Sequence, residues 1–262
     1  MNPPEMTTEP AGKRRILLII AYDGTDYCGW QIQKNGISIE EVLTKAVRRV
    51  TREENVLLGA SRTDAGVHAL GNVAAFDTES TVPAEVFARA LNTFLPDQIR
   101  VRSSREVPLT FHPRYADSVK TYEYYVLNTA DIIPTERRTH WYVTYRLDVD
   151  KMREAARYFV GRHDFASFCC PRTNAQTTVR EVTAFEIIQD GPLITFHVEG
   201  TGFLYNMVRI MVGTLIRVGR GFYGPEQVAE IMKAGDRREA GATAPAKGLF
   251  LTGIRYTDIY GR

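Results

Sequence analysis

The chain has 262 residues, of which 44% are hydrophobic and 24% are charged, and these proportions exclude wholesale disorder. Its 33 basic and 31 acidic side chains give a net charge of +2, so an anionic partner has to bind to a local cluster of cations. No apolar run reaches the roughly 18 residues of a membrane span, and three cysteines are too few for a disulfide framework. We therefore expect a globular cytoplasmic protein without a membrane segment.

The N-terminal part of the chain predicts a tail followed by an α+β unit over residues 13–110. Residues 1–12 contain three prolines and two glutamates, a composition typical of a disordered tail. Ser38 and Glu41 form a capping box before one helix, and Pro83 begins a second helix that ends before Pro96. Runs rich in β-branched and aliphatic residues predict strands at 14–22, 56–60, 73–77 and 99–107.

Residues 111–262 predict a second unit of similar proportions. Asp150 is expected to cap a helix that ends at residue 160, and Pro225 begins a helix that ends at Gly235. Between them, the strongest helical periodicity of the chain runs from 204 to 216. Strands are predicted at 121–127, 141–144, 182–188, 194–198 and 249–256, with a hairpin turn at 190–191. The pattern predicts an α+β fold of two like-sized subdomains, each an antiparallel sheet backed by helices.

One segment, GASRTDAGVHA at 59–69, combines an arginine, an aspartate and two glycines. If Arg62 and Asp64 lie in extended chain, their side chains share a face, and the guanidinium can hold the carboxylate ionised. Such a carboxylate is a candidate nucleophile, and Gly66 would allow a substrate to approach it closely. The alternative interpretation is a surface turn with a local ion pair.

His68 raises a second chemical interpretation, because it follows Asp64 by four residues and could share a metal ion or a proton with it. The other histidines lack the spacing of metal ligands, and a structural histidine explains His68 better. The chain also lacks a phosphate-binding loop and a dinucleotide fingerprint. No metal and no cofactor are therefore predicted.

Two further sets of residues are typical of nucleic-acid binding. Tyr122 and Tyr124 share one face of a predicted strand, where a tyrosine ring can either stack on a base or belong to the core. On the predicted helix 204–216 and just beyond it, Arg209, Arg217 and Arg220 lie opposite the apolar stripe. They form either a basic track for phosphates or a merely solvated helix face.

Residues 62–69, RTDAGVHA, resemble the catalytic loop of the TruA-type tRNA pseudouridine synthases. Other blocks resemble that family in the same order, so the resemblance extends from about residue 14 to residue 256. They are YDGT at 22–25, GWQ at 29–31, the strand with Tyr122, FASF at 165–168, FLYNMVR at 203–209 and APAKGLFL at 244–251. The chain departs from the family at Ser61 and Asn72, where the family usually has Gly and Gln.

The resemblance implies two ferredoxin-like (RRM-like) subdomains that form one extended antiparallel sheet, with helices on one face and a central catalytic cleft. It also implies a homodimeric isomerase that needs neither metal nor cofactor, with one tRNA reaching across both subunits. The reaction would convert uridine to pseudouridine at positions 38, 39 and 40 of the anticodon stem-loop.

By the same resemblance, Asp64 would be the nucleophile and would attack either the ribose C1′ or the uracil C6. Arg62 would pair with Asp64 and fill the space that the base leaves, while Tyr122 would stack on the uracil and assist removal of the C5 proton. Leu249 or Leu251 would pack the floor of the pocket.

Two other functions remain open at the level of the sequence. An RNA chaperone on the same scaffold would bind RNA without any need for the carboxylate of Asp64. A hydrolase would use Asp64 and His68 as an acid/base or metal-binding pair.

Overall fold

The computed structural model describes residues 12–170 and 175–257, so the predicted tail at 1–12, apart from Gly12, lies outside the described residues. In the N-terminal half, Ser38 caps the first helix and its hydroxyl accepts a hydrogen bond from the Glu41 amide, which confirms the predicted capping interaction. The elements in this half are β1 (Arg14–Tyr22), α1 (Ile39–Thr51), β2 (Leu58–Gly59), β3 (His68–Thr78), α2 (Phe87–Asn92) and β4 (Ile99–Val107).

The C-terminal half confirms the predicted hairpin, in which Gly191 has a positive φ of 55° at the turn. The helix cap predicted at Asp150 is wrong, because the carboxylate of Asp148 accepts the hydrogen bond from the Lys151 amide. The elements are β5 (Ser118–Leu127), β6 (Trp141–Tyr142), α3 (Val149–Ala156), β7 (Gly161–Asp164), β8 (Val179–Asp190), β9 (Leu193–Gly200), α4 (Met207–Gly219), α5 (Gln227–Ala234) and β10 (Leu249–Tyr256).

All these strands form one sheet, in the order β4-β1-β3-β10-β5-β9-β8-β7, with β2 paired to β3 and β6 paired to β5. The prediction of an antiparallel sheet is wrong at its centre, where β3 and β10 run parallel, and at the short strand β6, which pairs in parallel with β5. Only two residue pairs make this junction, His68 with Phe250 and Ala69 with Leu251. Strand β3 begins at His68 rather than near residue 73, because its first residues pair with β1 and β10. The two halves therefore meet at the chain segment that follows Asp64.

One continuous apolar cluster contains side chains of all five helices and alternate residues of the strands, so the helices pack together over one face of the sheet. A smaller cluster on the other side of β1 contains Leu17, Ala60, Phe111 and Tyr256. Within the described ranges, no helix is both long enough and apolar enough to cross a membrane.

Helix α4 begins later than predicted and is buried on nearly all sides rather than along one stripe. A Cβ added to Gly213, in the middle of α4, would lie 1.8 Å from the carbonyl oxygen of Ala242. The helix therefore packs against the backbone of the segment that precedes β10, and a glycine is required at this contact.

Substituting Gly213→Ala should lower the free energy of unfolding by about 1–3 kcal/mol, because the added methyl group would displace a backbone segment. Thermal melts should therefore give a Tm several degrees lower. Gly253→Ala is the matched control, since its added Cβ would have no atom within 4 Å. Equal melting temperatures for the two variants would contradict the packing of α4 described above.

Candidate active site

A cleft of about 1060 Å³ opens where the two halves of the sheet meet. The loop between β2 and β3, which carries Asp64, forms one wall together with residues 28–35. The C-terminal half supplies Tyr122 from β5, residues 201–208 before and within α4, and Leu249 from β10. The site therefore depends on side chains that are far apart in the sequence.

The loop that holds Asp64 is fixed by hydrogen bonds on both sides of that residue. The Val67 amide donates to the Asp64 carbonyl at 3.1 Å, and Gly66 has the positive φ, 76°, that such a turn requires. The Thr63 carbonyl accepts from the Trp30 amide at 3.0 Å, and the Thr63 hydroxyl bonds to that of Tyr22 at 2.7 Å. The position of the carboxylate is thus set by the backbone before any substrate arrives.

The cationic partner of Asp64 is Arg209, in the first turn of α4, and not Arg62 as predicted. Nη1 of Arg209 donates to Oδ2 of Asp64 at 3.2 Å, and the two side chains are only 15% and 14% exposed. The same guanidinium donates to the carbonyl of Ala244 at 2.7 Å and to the amide oxygen of Asn206 at 2.8 Å. Arg62 is exposed in the loop between β2 and β3, and it is not at ion-pair distance from Asp64.

Burial raises the pKa of the Asp64 carboxyl, and the positive charge of Arg209 opposes that increase. A carboxylate that has lost part of its hydration is a stronger nucleophile than one in water, provided that it stays ionised. Arg209 supplies the charge that favours the ionised form.

Tyr122 lies in the cleft with its ring edge against Phe203, at 5.1 Å between centroids. Its hydroxyl bonds to Oγ of Ser61 at 3.0 Å, and burial raises its pKa to about 12, so it is protonated at neutral pH. Asn72 donates to the carbonyl of Ser61 at 3.1 Å. The two positions that depart from the family pattern therefore lie in one hydrogen-bonded chain with Tyr122. Tyr124 is a core residue whose hydroxyl donates to the Pro245 carbonyl.

The two leucines predicted for the pocket floor have different environments. Leu249 lines the cleft, at the start of β10. Leu251 is completely buried in the main apolar cluster and is not part of the cleft wall. Of the two alternatives, the structure brings only Leu249 to the site.

Four cations that the sequence analysis did not group together line the cleft. Arg62, Arg114, Lys120 and Arg180 come from separate segments, and within the described residues none of them has a carboxylate at ion-pair distance. Burial and the neighbouring Arg114 lower the pKa of Lys120. Arg62 carried a sequence signal as a member of the Asp64 segment, and Lys120 carried one because it lies two residues before Tyr122 and therefore on the same face of β5.

The three arginines of the predicted basic track do not form one surface. Arg209 is bound to Asp64, whereas Arg217 and Arg220 lie at the other end of α4 and stack on aromatic rings. Arg217 lies 4.5 Å from the ring centroid of Tyr223, and Arg220 lies 3.9 Å from that of Tyr145. The prediction of a continuous polar face was wrong because α4 is buried around most of its circumference.

His68 is buried and does not line the cleft, so it does not form an acid/base or metal-binding pair with Asp64. Its Nδ1 accepts from the Gly24 amide at 3.2 Å, its Nε2 bonds to the Arg138 carbonyl at 2.9 Å, and its ring stacks on Phe250. Burial lowers its pKa, which agrees with a neutral structural imidazole. In the part of the chain that the structure describes, no group of His, Cys, Asp and Glu side chains is arranged to hold a metal ion.

Comparison with known proteins gives matches over both halves. A model of the tRNA pseudouridine synthase family matches residues 18–116 and 155–257, more than half of the chain. A Thermoanaerobacter sp. (strain X514) protein named tRNA pseudouridine synthase A is 45% identical over 243 residues, 93% of this chain and 100% of that protein. Proteins of the same name are 46% identical in Citrifermentans bemidjiense, over 94% of this chain and 98% of that protein, and 48% identical in Geobacter sulfurreducens, over 93% and 100%.

Among solved structures, a chain of the archaeal box H/ACA sRNP Nop10-Cbf5 complex is similar, with 15% identity over 77% of this chain and 44% of that one. Its TM-score of 0.34 is too low to compare the folds. The sequence matches, by contrast, include both the loop that carries Asp64 and the turn that carries Arg209. The chain therefore belongs to the tRNA pseudouridine synthase family of isomerases.

Proposed function

We propose that this protein converts uridine to pseudouridine at positions 38, 39 and 40 of the tRNA anticodon stem-loop, with Asp64 as the nucleophile. The observation that carries the proposal is the buried ion pair of Asp64 with Arg209, 3.2 Å apart, beside Tyr122 in a cleft lined by cations. Because cations attract phosphates and the carboxylate repels them, a protein that only binds RNA gains nothing from Asp64 at this place. The carboxylate therefore favours catalysis over the chaperone alternative.

In the proposed reaction, the Asp64 carboxylate forms a covalent bond to the ribose C1′ or to the uracil C6 of a nucleotide flipped into the cleft. The bond between C1′ and N1 breaks, the base turns, and C5 bonds to C1′ as the carboxylate leaves. C5 then loses its proton and N1 gains one, so atoms and charge balance without an oxidant or a cofactor.

Tyr122 and Leu249 bind the base in this proposal. The ring of Tyr122 stacks on the uracil, and its hydroxyl assists removal of the C5 proton. Since that hydroxyl is protonated at neutral pH, it can accept a proton only by passing its own onward, and the hydroxyl of Ser61 is bonded to it at 3.0 Å. Leu249 packs against the other side of the pocket.

In this proposal, different cations contact different parts of the RNA. Arg62 fills the space that the base leaves, and Arg114, Lys120 and Arg180 bind phosphates near the cleft. Arg217 and Arg220 would contact a more distant part of the tRNA, since Arg217 lies eight residues, or ~12 Å along a helix, beyond Arg209.

Three broader features complete the proposal. The division into subdomains at 13–110 and 111–262 is supported by the strand order, which places β4 beside β1 and β10 beside β5, as expected for two ferredoxin-like units. A homodimer that binds one tRNA across both subunits, and a cytoplasmic location, are the further parts of the proposal.

Substituting Asp64→Asn should abolish turnover while tRNA binding persists, because the amide keeps the size of the side chain but cannot form the covalent bond. The measurement is release of tritium from tRNA labelled at uridine C5, with a filter-binding assay alongside. Asp97→Asn makes the same chemical change at a fully exposed side chain and should leave turnover unchanged.

The same assay tests the target positions. Anticodon stem-loops with a single uridine at position 38, 39 or 40 should each release tritium, and a stem-loop without uridine at these positions should release none.

An Asp64→Asn variant with even a tenth of the normal rate would refute the role of Asp64 as the nucleophile.

Substituting Arg209→Gln should move the acid limb of the pH profile of kcat/KM to higher pH by about 1–3 units. Asp64 acts as an anion, and burial already raises its pKa. Loss of the neighbouring cation raises this pKa further, so a higher pH is needed to ionise the carboxyl group. Arg153→Gln is the matched control, because Arg153 also binds one carbonyl and one aspartate but lies outside the cleft. An unchanged acid limb in Arg209→Gln would contradict the electrostatic role of this arginine.

Substituting Tyr122→Phe should leave the affinity for tRNA intact and slow product formation by about 10²–10⁴-fold, because the stacking ring remains and the hydroxyl is lost. Single-turnover rates and binding constants separate the two effects. Tyr125→Phe, on the opposite face of β5, removes only a hydroxyl that bonds to Glu123 and serves as the control. A change of affinity at a normal single-turnover rate would overturn the assignment.

A further inference from the structure

A second cavity, of about 180 Å³, lies beside the cleft and shares with it the residues Gln31, Arg62, Arg114 and Tyr115. We call it the side pocket. Its buried lining includes Trp30 and Leu57, and its rim carries exposed Arg62 and Tyr115. The shared residues therefore lie between the side pocket and the cleft and border both spaces.

Tyr115 is 77% exposed and has an aromatic neighbour, His112, whose ring centroid is 4.4 Å away at an interplanar angle of 33°. A tyrosine so exposed contributes little to the core, while its ring presents a flat apolar surface to solvent. Since an aromatic face binds any nucleobase by stacking, this pair of rings has the form of a stacking platform.

Hydrogen bonds fix the turn that carries the platform. The Tyr115 amide donates to the His112 carbonyl at 3.1 Å, and the Arg114 amide donates to Nδ1 of His112 at 3.2 Å. The ends of the turn are also bound, because Arg15 donates to the Phe111 carbonyl and Tyr256 donates to the Pro113 carbonyl. A site that is rigid before binding loses less conformational entropy when a ligand arrives.

The charge at the side pocket suits a phosphodiester strand. Arg62 and Arg114 lie beside Tyr115 and, in the described part of the chain, neither has a carboxylate at ion-pair distance. Burial and the charge of Arg62 lower the pKa of Arg114, whereas the negative charge of Glu40 acts in the opposite direction. The carboxylate that lines this pocket, Glu40, accepts a hydrogen bond from the Ile32 amide.

We propose that the side pocket binds the nucleotide adjacent to the target uridine, whose base stacks on Tyr115 and whose phosphate is bound by Arg114. This inference rests on the proposed function, since the strand must enter the cleft at Asp64. Arg62 and Tyr115 line both the cleft and the side pocket, so the platform borders the space in which a strand bound at Asp64 would lie. The site takes any base, because stacking does not read hydrogen-bonding edges.

The test uses a synthetic anticodon stem-loop with one target uridine, and the same RNA with an abasic residue beside that uridine on either side. Tyr115→Ala should weaken binding of the intact RNA about 5- to 150-fold, and Tyr115→Phe should bind it normally. With the abasic residue on the stacking side, wild-type protein and Tyr115→Ala should bind alike. Tyr158→Ala, an exposed tyrosine outside both cavities, is the control and should have no effect.

Phosphate binding is tested separately. Arg114→Gln should reduce the slope of log affinity against log salt by about 0.7, the value for one contact with a single strand, and Tyr115→Ala should leave the slope unchanged. A normal slope in Arg114→Gln would overturn the phosphate part of the proposal. Thermal melts of each variant exclude a loss of fold as the cause.

The outcomes separate this inference from the proposed function. Tritium release by wild-type protein, together with binding that does not depend on Tyr115 or on the neighbouring base, would overturn the stacking site alone. Binding that depends on both, without tritium release, would overturn the proposed reaction and leave the stacking site standing. Failure of the wild-type protein to bind either the stem-loop or the full-length tRNA would overturn both.

Discussion

The ion pair between Asp64 and Arg209 is the interaction on which the arrangement of the site depends. It joins the loop after β2 to the first turn of α4, and therefore the N-terminal half of the sheet to the C-terminal half. The parallel junction of β3 with β10 is only two residue pairs long, so side-chain contacts of this kind also hold the halves in register. Arg209 is itself positioned by the Ala244 carbonyl, in the segment against which α4 packs through Gly213.

Burial gives this pair its chemical character. In water, an aspartate and an arginine at this distance would attract each other weakly, whereas in a largely buried position both charges act strongly on each other. Burial consequently raises the pKa of the Asp64 carboxyl, and the positive charge of Arg209 favours its ionised form. The cations around the cleft come from four separate segments that meet in the folded chain. This local cluster explains how a chain with a net charge of only +2 can present a positive site to RNA.

The elements predicted from local signals in the sequence agree with the structure. The Ser38 cap, the hairpin at Asp190 and Gly191, and the last strand at 249–256 all formed where the sequence predicted them. The errors occurred where contacts between distant segments decide the outcome. Strand β3 extends back to His68 because β1 and β10 pair with it, and α4 is buried on most sides because helices and the segment before β10 surround it.

The sequence alone determined the order of the elements except for β7, which it did not predict, together with the candidate nucleophile and the resemblance to the family. Capping, periodicity and motif spacing are properties of neighbouring residues, whereas β7 is defined by its pairing with β8. The tertiary structure decided which cation pairs with Asp64. Residues 62 and 64 suggested a local ion pair, but the guanidinium that meets the carboxylate lies 145 residues away in the chain. The grouping of Arg62, Arg114, Lys120 and Arg180 likewise arises only when the two halves meet at the cleft.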